Sequence, residues 1–370
     1  MLRVIVTGGG TGGHIYPALA IAQGLLDHEP DAKILYVGTR AGMEARIVPE
    51  AGWEFAGVSG RQLPRQLSVE MLKTTVVSFK ALWETKEILR KFRPDLVIGT
   101  GGYVSGPVVL TAALFGIPTL LHEQNAWPGF TNRVLARAVR GVMVAFPESI
   151  KHFKPQAKVT VVGFPVRPEI GQVDRAAGAR RLRLRPDRLT VLVTGGSRGA
   201  RSINQAMATV AANLRQYPEV QLIWATGQAT YEETLAALRA KGINWDRPQW
   251  RIMEYVQDMP AALACADLCI TRAGAATLAE LTLAGKPSIL IPYPYAAANH
   301  QEHNARSLVE NGAARLILDR DLSGERLWHD IEGLLRQGPV LEEMAAAAKK
   351  LARPDALDKI VGLCLETAWR

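Results

Sequence analysis

The chain has 370 residues, too many for one ordinary hydrophobic core, so two domains are the starting expectation. Apolar residues at 48% against 21% charged exclude a disordered or low-complexity chain. The 44 Lys and Arg against 35 Asp and Glu leave a formal charge of +9, which suits a nucleic acid, an anionic membrane surface or a phosphorylated substrate without choosing among them.

Residues 4–7 read at once as a strand, so no signal peptide is expected ahead of it. A glycine-rich loop and an amphipathic helix over 16–26 follow, then a strand over 33–37 and a helix over 43–50. A longer helix over 69–92 leads to a strand at 95–99, and short apolar strands recur at 118–121, 142–145 and 159–162. Apolar strands separated by helices predict a parallel sheet covered on both faces. Residues 108–121 come nearest to a membrane span, but Gly116 and Pro118 interrupt them.

The pattern restarts after Gly163-Phe164-Pro165-Val166-Arg167-Pro168, where two prolines bracket a stiff connection read as a hinge. Strands are predicted at 189–194, 220–225, 250–253, 268–271 and 287–291, the first followed by a glycine loop and a helix from 202. A strand at 314–318 precedes a helix over 324–335, and helices over 340–351 and 355–369 end the chain. Leu357, Ile360, Val361 and Cys364 make an apolar stripe on the last one. The domains are therefore drawn as 1–163, 164–340 and a helical tail, 341–370, packing back on the first. Cys265, Cys269 and Cys364 have no neighbours at metal-ligand spacing and read as reduced core thiols of a cytoplasmic protein.

Three glycine loops each follow a strand: Gly8-Gly9-Gly10-Thr11-Gly12-Gly13-His14, Gly101-Gly102-Tyr103-Val104-Ser105-Gly106-Pro107 and Gly195-Gly196-Ser197-Arg198-Gly199-Ala200. Glycines let the backbone approach an oxyanion, and a helix N-terminus supplies free amides and a positive dipole end. Gly8, Gly10 and Gly13 also satisfy the dinucleotide pattern G-x-G-x-x-G. The second strand, however, runs into Val37-Gly38-Thr39-Arg40 without the acid that grips an NAD ribose, which leaves NADP open through Arg40.

The three loops, together with His122-Glu123-Gln124-Asn125, Pro165-Val166-Arg167 and Arg272-Ala273-Gly274-Ala275-Ala276-Thr277 with Glu280, resemble the MurG family in the family's order. The resemblance covers nearly the whole chain. It implies an α/β GT-B fold: two Rossmann-like domains whose parallel sheets face across a cleft, acceptor on the first and UDP-N-acetylglucosamine (UDP-GlcNAc) mainly on the second. It implies inverting transfer of GlcNAc to the C4 hydroxyl of the MurNAc of lipid I, an undecaprenyl-linked acceptor, at the cytoplasmic face of the membrane. Carried over position by position, Thr11, Gly12, Gly13 and Asn125 meet the donor's sugar, and Gly10, Gly102, Tyr103 and Ser105 the acceptor's diphosphate. Arg167, Ser197 and Val256 fall on the donor, Ser197 near its phosphates and Val256 near its uracil. Ala275, Ala276 and Thr277 open the helix that holds the nucleotide, Glu280 takes the ribose and Gln301 the sugar. No cofactor, metal or nucleic acid is expected, and cell-wall synthesis proteins are candidate partners.

Displacement at an anomeric carbon needs a base for the acceptor hydroxyl and stabilisation of the leaving UDP. His14, at a helix start beside a glycine loop, is the first candidate base, since imidazole titrates near ~6.5. Glu123, just past a strand end, is the second. Ser197 and the amides behind it are expected to receive the diphosphate. Asp319-Arg320-Asp321 matches the metal motif of other glycosyltransferases but reads as a solvated turn away from the glycine loops. On the helix over 69–92, Leu72, Val76, Phe79, Leu82 and Trp83 with Lys73, Lys80, Lys86, Arg90, Lys91 and Arg93 suggest docking on an anionic membrane. Three other functions remain open: a UDP-GlcNAc 2-epimerase on the same fold, an NADP-dependent oxidoreductase, and a non-catalytic nucleotide-sugar module.

Overall fold

In a computed structural model, residues 1–60, 69–196 and 198–369 are described, with the side chains of all of these but 69–79. The chain divides into two units, Met1–Val166 with Arg353–Arg370, and Arg167–Ala352.

The first unit alternates strands and helices: β1 (Arg3–Thr7), α1 (Gly12–His28), β2 (Lys33–Thr39), α2 (Glu44–Glu50), β3 (Phe55–Val58), α3 (Val69–Phe92), β4 (Leu96–Gly99), α4 (Ser105–Leu114), β5 (Thr119–Glu123), α5 (Phe130–Leu135), β6 (Gly141–Val144) and β7 (Val159–Val161). Its sheet runs β3-β2-β1-β4-β5-β6-β7 and every pairing is parallel. In β1, Val4 and Val6 pack on one face while Ile5 packs on the other, as the two-residue period of a strand dictates. Strand order reverses between β1 and β4, where Val4 lies opposite both Ile34 and Leu96. Such a switch point opens a crevice at the carboxyl ends of the strands, and the first two glycine loops leave from there.

The second unit contains α6 (Arg175–Leu182), β8 (Thr190–Thr194), α7 (Arg201–Leu214), β9 (Gln221–Ala225), α8 (Tyr231–Ala240), β10 (Trp250–Met253), α9 (Met259–Cys265), β11 (Leu268–Thr271), α10 (Ala275–Ala284), β12 (Ser288–Leu290), α11 (His300–Glu310), β13 (Ala314–Leu316), α12 (Gly324–Leu335) and α13 (Gly338–Lys350). Its parallel sheet, β10-β9-β8-β11-β12-β13, switches between β8 and β11. There the third glycine loop and the segment 272–276 leave the sheet.

The last helix is α14 (Ala356–Ala368), whose Ile360, Val361 and Cys364 are fully buried in the core of the first unit with Leu2, Val4 of β1 and Ile21 of α1. Burying Ile360 and Val361 stabilises this docking by about 1.5–3 kcal/mol each. Gly24 of α1 lets α14 come close, since a Cβ there would sit 2.9 Å from Leu357. The expected tail of 341–370 does not travel as one piece. Leu341 and Met344 of α13 join the second unit's core, and Lys349 donates to the Leu283 carbonyl at 2.7 Å, so only the chain from Arg353 onward belongs with the first unit. Three elements of the first unit escape the sequence reading, the six-residue α5 among them. β3 is four residues, Phe-Ala-Gly-Val, too short and small to signal, and α4 hides in the apolar run 108–121.

Under the third glycine loop lies a polar knot. Asn204 of α7, buried, donates to the Thr226 carbonyl at 2.8 Å and to Thr230 Oγ1 at 3.0 Å, and accepts from Trp224 Nε1 at 3.0 Å. Thr230 Oγ1 also donates to the Thr226 carbonyl at 2.6 Å, so Asn204→Leu chiefly strands the buried Trp224 Nε1 and is expected to lower the unfolding free energy by about 1–3 kcal/mol in urea denaturation.

Candidate active site

At the first switch point two glycine loops meet backbone to backbone. The Gly9 amide donates to the Gly101 carbonyl at 3.3 Å, and a Cβ on Gly102 would stand 2.2 Å from Gly9 O. Gly102 also holds φ +83°, so a side chain is excluded twice, by contact and by conformation. Beneath the loops lies Glu44, fully buried at the start of α2. Its Oε1 accepts from the Thr39 amide at 3.0 Å and Thr39 Oγ1 at 2.5 Å, and its Oε2 from the Gly10 amide at 3.2 Å. The Gly10 N–H, expected to meet the acceptor's diphosphate, is therefore turned onto a carboxylate. Ser105 is buried and its hydroxyl donates to the Gly102 carbonyl at 3.0 Å, closing the loop. Of that expected group, Tyr103 lies partly exposed beside Gly10, its hydroxyl 3.5 Å from Thr39 Oγ1.

His14 occupies the first turn of α1, which begins at Thr11 without a side-chain cap. Thr11 and Gly13 are exposed, and Gly12 and His14 half-buried. His14 Nδ1 lies 2.9 Å from the Thr100 carbonyl and 3.1 Å from Gln124 Oε1. Glu123, the second candidate base, is buried and fully engaged. Its Oε1 accepts from the Asn125 amide at 3.0 Å and Asn125 Nδ2 at 3.2 Å, and its Oε2 from the Gly129 amide and Asn132 Nδ2, both at 2.9 Å. That carboxylate anchors the β5–α5 loop, with Asn125 in it.

In the second unit, α7 and α10 also begin without side-chain caps, whereas Asp174, Asp258 and Ser323 cap α6, α9 and α12. Leading amides left uncapped at a switch point favour an anion. Ala275 is buried, Ala276 exposed and Thr277 half-buried in the first turn of α10. One turn on, Glu280 Oε1 accepts from Arg167 Nη2 at 2.7 Å and Nε at 3.2 Å. Burial pushes the Glu280 carboxyl above its ordinary range and Arg167 pulls it part of the way back. Val256 is buried, and Gln301 Oε1 accepts the Tyr293 amide at 2.9 Å. Ser197 lies outside the described residues.

Asp319 departs from its reading as a solvated turn remote from the glycine loops. It accepts from Arg272 Nη1 at 2.5 Å and from Ser202 Oγ at 2.7 Å, joining the ends of the two segments that leave β8 and β11. Arg272 Nη1 also donates to the carbonyls of Ile291 and Pro292 at 3.1 Å each. Arg320 and Asp321 remain exposed. Among the described residues, no three His, Cys, Asp or Glu side chains cluster as metal ligands would.

The N-terminal domain of glycosyltransferase family 28 matches residues 4–144, and the C-terminal domain of that family matches residues 190–360. The UDP-N-acetylglucosamine–N-acetylmuramyl-(pentapeptide) pyrophosphoryl-undecaprenol N-acetylglucosamine transferase of Desulfitobacterium hafniense (strain DSM 10664 / DCB-2) is 67% identical over 369 residues, covering 100% of both chains. The transferase of the same name from Desulforamulus reducens is 50% identical over 366 residues, 99% of this chain and 98% of its own. This chain belongs to the MurG transferases of glycosyltransferase family 28. The crystal structure of Acinetobacter baumannii MurG superposes with a TM-score of 0.80 at 31% identity, covering 99% of this chain and 100% of that one. The fold is thus GT-B, with two Rossmann-like parallel-sheet domains.

Within this MurG chain, several residues that shape the site gave no individual signal in the sequence. Glu44 looks like any acid in a helix's first turn, and nothing local announces that Gly38 and Gly42 leave room for it: a Cβ at either would strike its side chain at 2.5 and 2.3 Å. Gln124 and His122 stand in the quoted motif, but their roles depend on contacts 110 and 41 residues away in the chain. Arg40, which kept NADP open, pairs with Glu84 of α3 at 2.9 Å. Glu44→Ala is expected to cost about 2–4 kcal/mol of stability, because it leaves three buried donors unpaired; guanidinium unfolding of the full chain measures it.

Proposed function

We propose that this chain moves GlcNAc from UDP-GlcNAc to the C4 hydroxyl of the MurNAc of undecaprenyl-pyrophosphoryl-MurNAc-pentapeptide, lipid I, giving lipid II for peptidoglycan. The observation that carries this reading is identity of 67% along the full length of a transferase of that name. The acceptor oxygen attacks the anomeric carbon while the bond to UDP breaks, so configuration inverts. His14 Nε2 takes the hydroxyl proton. The second unit holds the donor: Glu280 accepts ribose hydroxyls, Val256 lies along the uracil, Arg167 and Gln301 complete the grip, and the leading amides of α7 and α10 with Ser197 receive the diphosphate. Thr11, Gly12, Gly13 and Asn125 are assigned to the transferred sugar, and Gly102 and Tyr103 to the acceptor's diphosphate.

The test is UDP release from UDP-GlcNAc with and without a lipid I analogue. Release is expected only with the acceptor, and UDP-ManNAc formed from donor alone would replace this reading with the epimerase. His14→Ala is expected to lower kcat by about 10²- to 10⁴-fold with little change in donor KM. Glu280→Ala is expected to raise donor KM about ten-fold or more. Glu123→Ala is expected to lower Tm, which His14→Ala leaves in place.

The acceptor's lipid requires contact with a membrane, and no helix among the described residues is long and apolar enough to cross one. Peripheral docking on the cytoplasmic face is supported by exposed apolar side chains on the first unit, Trp83, Leu114, Phe115, Phe130 and Val134. Lys80, Arg90, Lys91 and Arg93 are exposed along or just after α3, and each cation contributes about 1 kcal/mol near an anionic surface. The side chains of Leu72, Lys73, Val76 and Phe79 lie outside the described residues. In liposome flotation the chain is expected to rise with anionic vesicles and not with neutral ones; equal recovery with both rejects electrostatic docking.

A further inference from the structure

We infer that Gln124, itself locked by His122, joins the Thr100 carbonyl in fixing the tautomer of His14, holding the ring proton on Nδ1 so that Nε2 presents its lone pair. The inference rests on the reading of His14 as the base, and makes Gln124 and His122 positioning residues for it.

The hydrogen bonds leave one consistent assignment. The Gln124 amide atom nearest the His122 backbone carbonyl lies 2.9 Å from it, and a carbonyl only accepts, so that atom is the NH₂ group. The same Nε2 lies 3.0 Å from His122 Nδ1, which therefore accepts. His122 in turn carries its proton on Nε2 and donates it to the Gly163 carbonyl at 3.0 Å. Burial pushes the His122 imidazole below its ordinary range, which keeps it in the neutral form this chain of bonds requires. With its nitrogen committed, Gln124 turns Oε1 to His14 Nδ1 at 3.1 Å, where the Thr100 carbonyl already stands at 2.9 Å. Two acceptors face one ring nitrogen, so that nitrogen holds the hydrogen.

His122 is what makes Gln124 reliable. An amide can turn over at little cost when both ends see similar surroundings, and a turned Gln124 would present a donor to His14 Nδ1 and favour the unproductive tautomer. Gly163 is fixed at the far end: its amide donates to the Val144 carbonyl at 3.2 Å, and its φ of +100° places the Cα where a Cβ would stand 2.9 Å from both Arg353 and Ala356. The relay is thus tied to β6 and to the start of α14. Gln124 and His122 are both buried, so water does not compete for these bonds.

The full chain labelled with ¹⁵N-histidine tests this at about pH 8.5, where imidazole is ordinarily neutral. His14 is assigned by the resonance lost in His14→Gln. Its proton is expected on Nδ1. Gln124→Met leaves the Thr100 carbonyl alone on Nδ1, so the Nε2–H form is expected to appear as a minor population and kcat to fall about 3- to 10-fold, with donor KM within about two-fold. His122→Phe, which releases the amide, supplies the same readout if Gln124→Met does not fold. A wild-type proton on Nε2, or a Gln124→Met variant with wild-type tautomer and kcat, overturns the inference. If His14→Ala keeps its turnover, the base reading fails instead, whatever tautomer the spectrum shows.

Discussion

The contact on which the first unit's site depends is the approach of two backbones, Gly9 against Gly102, at the point where strand order reverses. A single added carbon at residue 102 would stand 2.2 Å from the Gly9 carbonyl oxygen. Because these loops touch without side chains between them, Thr100 at the root of the second loop reaches α1. Its carbonyl meets His14 Nδ1, while its hydroxyl donates to the His14 backbone carbonyl at 2.7 Å. One residue therefore holds both the ring and the main chain of His14. Gly101 completes the fit, since a Cβ there would lie 3.0 Å from the imidazole.

The second unit solves the same problem with different parts. Its glycine loop is braced from the neighbouring strand rather than across the switch point: Gly199 and Gly227, at φ +76° and +85°, pack so closely that a Cβ on Gly227 would stand 2.3 Å from Gly199 Cα. Across the switch point the tie is ionic. Arg272, Asp319 and Ser202 bind the start of α7 to the segment before α10, and the Arg272 side chain is only 12% exposed. A pair so enclosed holds its geometry where a solvated pair would not. Two related folds thus reach comparable uncapped helix starts, one through backbone packing and one through a shielded charge.

Much of this was legible in the sequence because its signals are local. Strands such as 4–7 and 250–253 are apolar runs bounded by turns, and the glycine loops follow them directly, so the parallel sheets and the loop positions could be read from order alone. The tail was divided wrongly because helical period says that a face is apolar but not which core receives it: Leu341 and Met344 serve one unit, Ile360 and Val361 the other. The acids defeated the sequence for the same reason. Glu44, Glu123, Glu280 and Asp319 are equivalent letters until the donors around each are known, and those donors lie from two to 117 residues away.

Those donors also decide which acid can meet a ligand. Glu123 has two donors on each oxygen, and Glu44 has one oxygen on Thr39 and the other on Gly10, all inside the protein. A ligand hydroxyl would have to displace a buried amide from either, leaving it unpaired at a cost of about 1–3 kcal/mol. These two carboxylates fix loops. Asp319 is likewise committed, to Arg272 and Ser202. Glu280 differs because its partner, the Arg167 side chain, is half exposed, whereas the Arg272 side chain on Asp319 is enclosed. An ion pair open to water contributes only about 0–1 kcal/mol, so a ligand hydroxyl could share or replace it at little cost. The same reasoning separates Glu123 from His14: both oxygens of Glu123 are spent on structure, whereas the contacts of the His14 ring with Thr100 and Gln124 both fall on Nδ1.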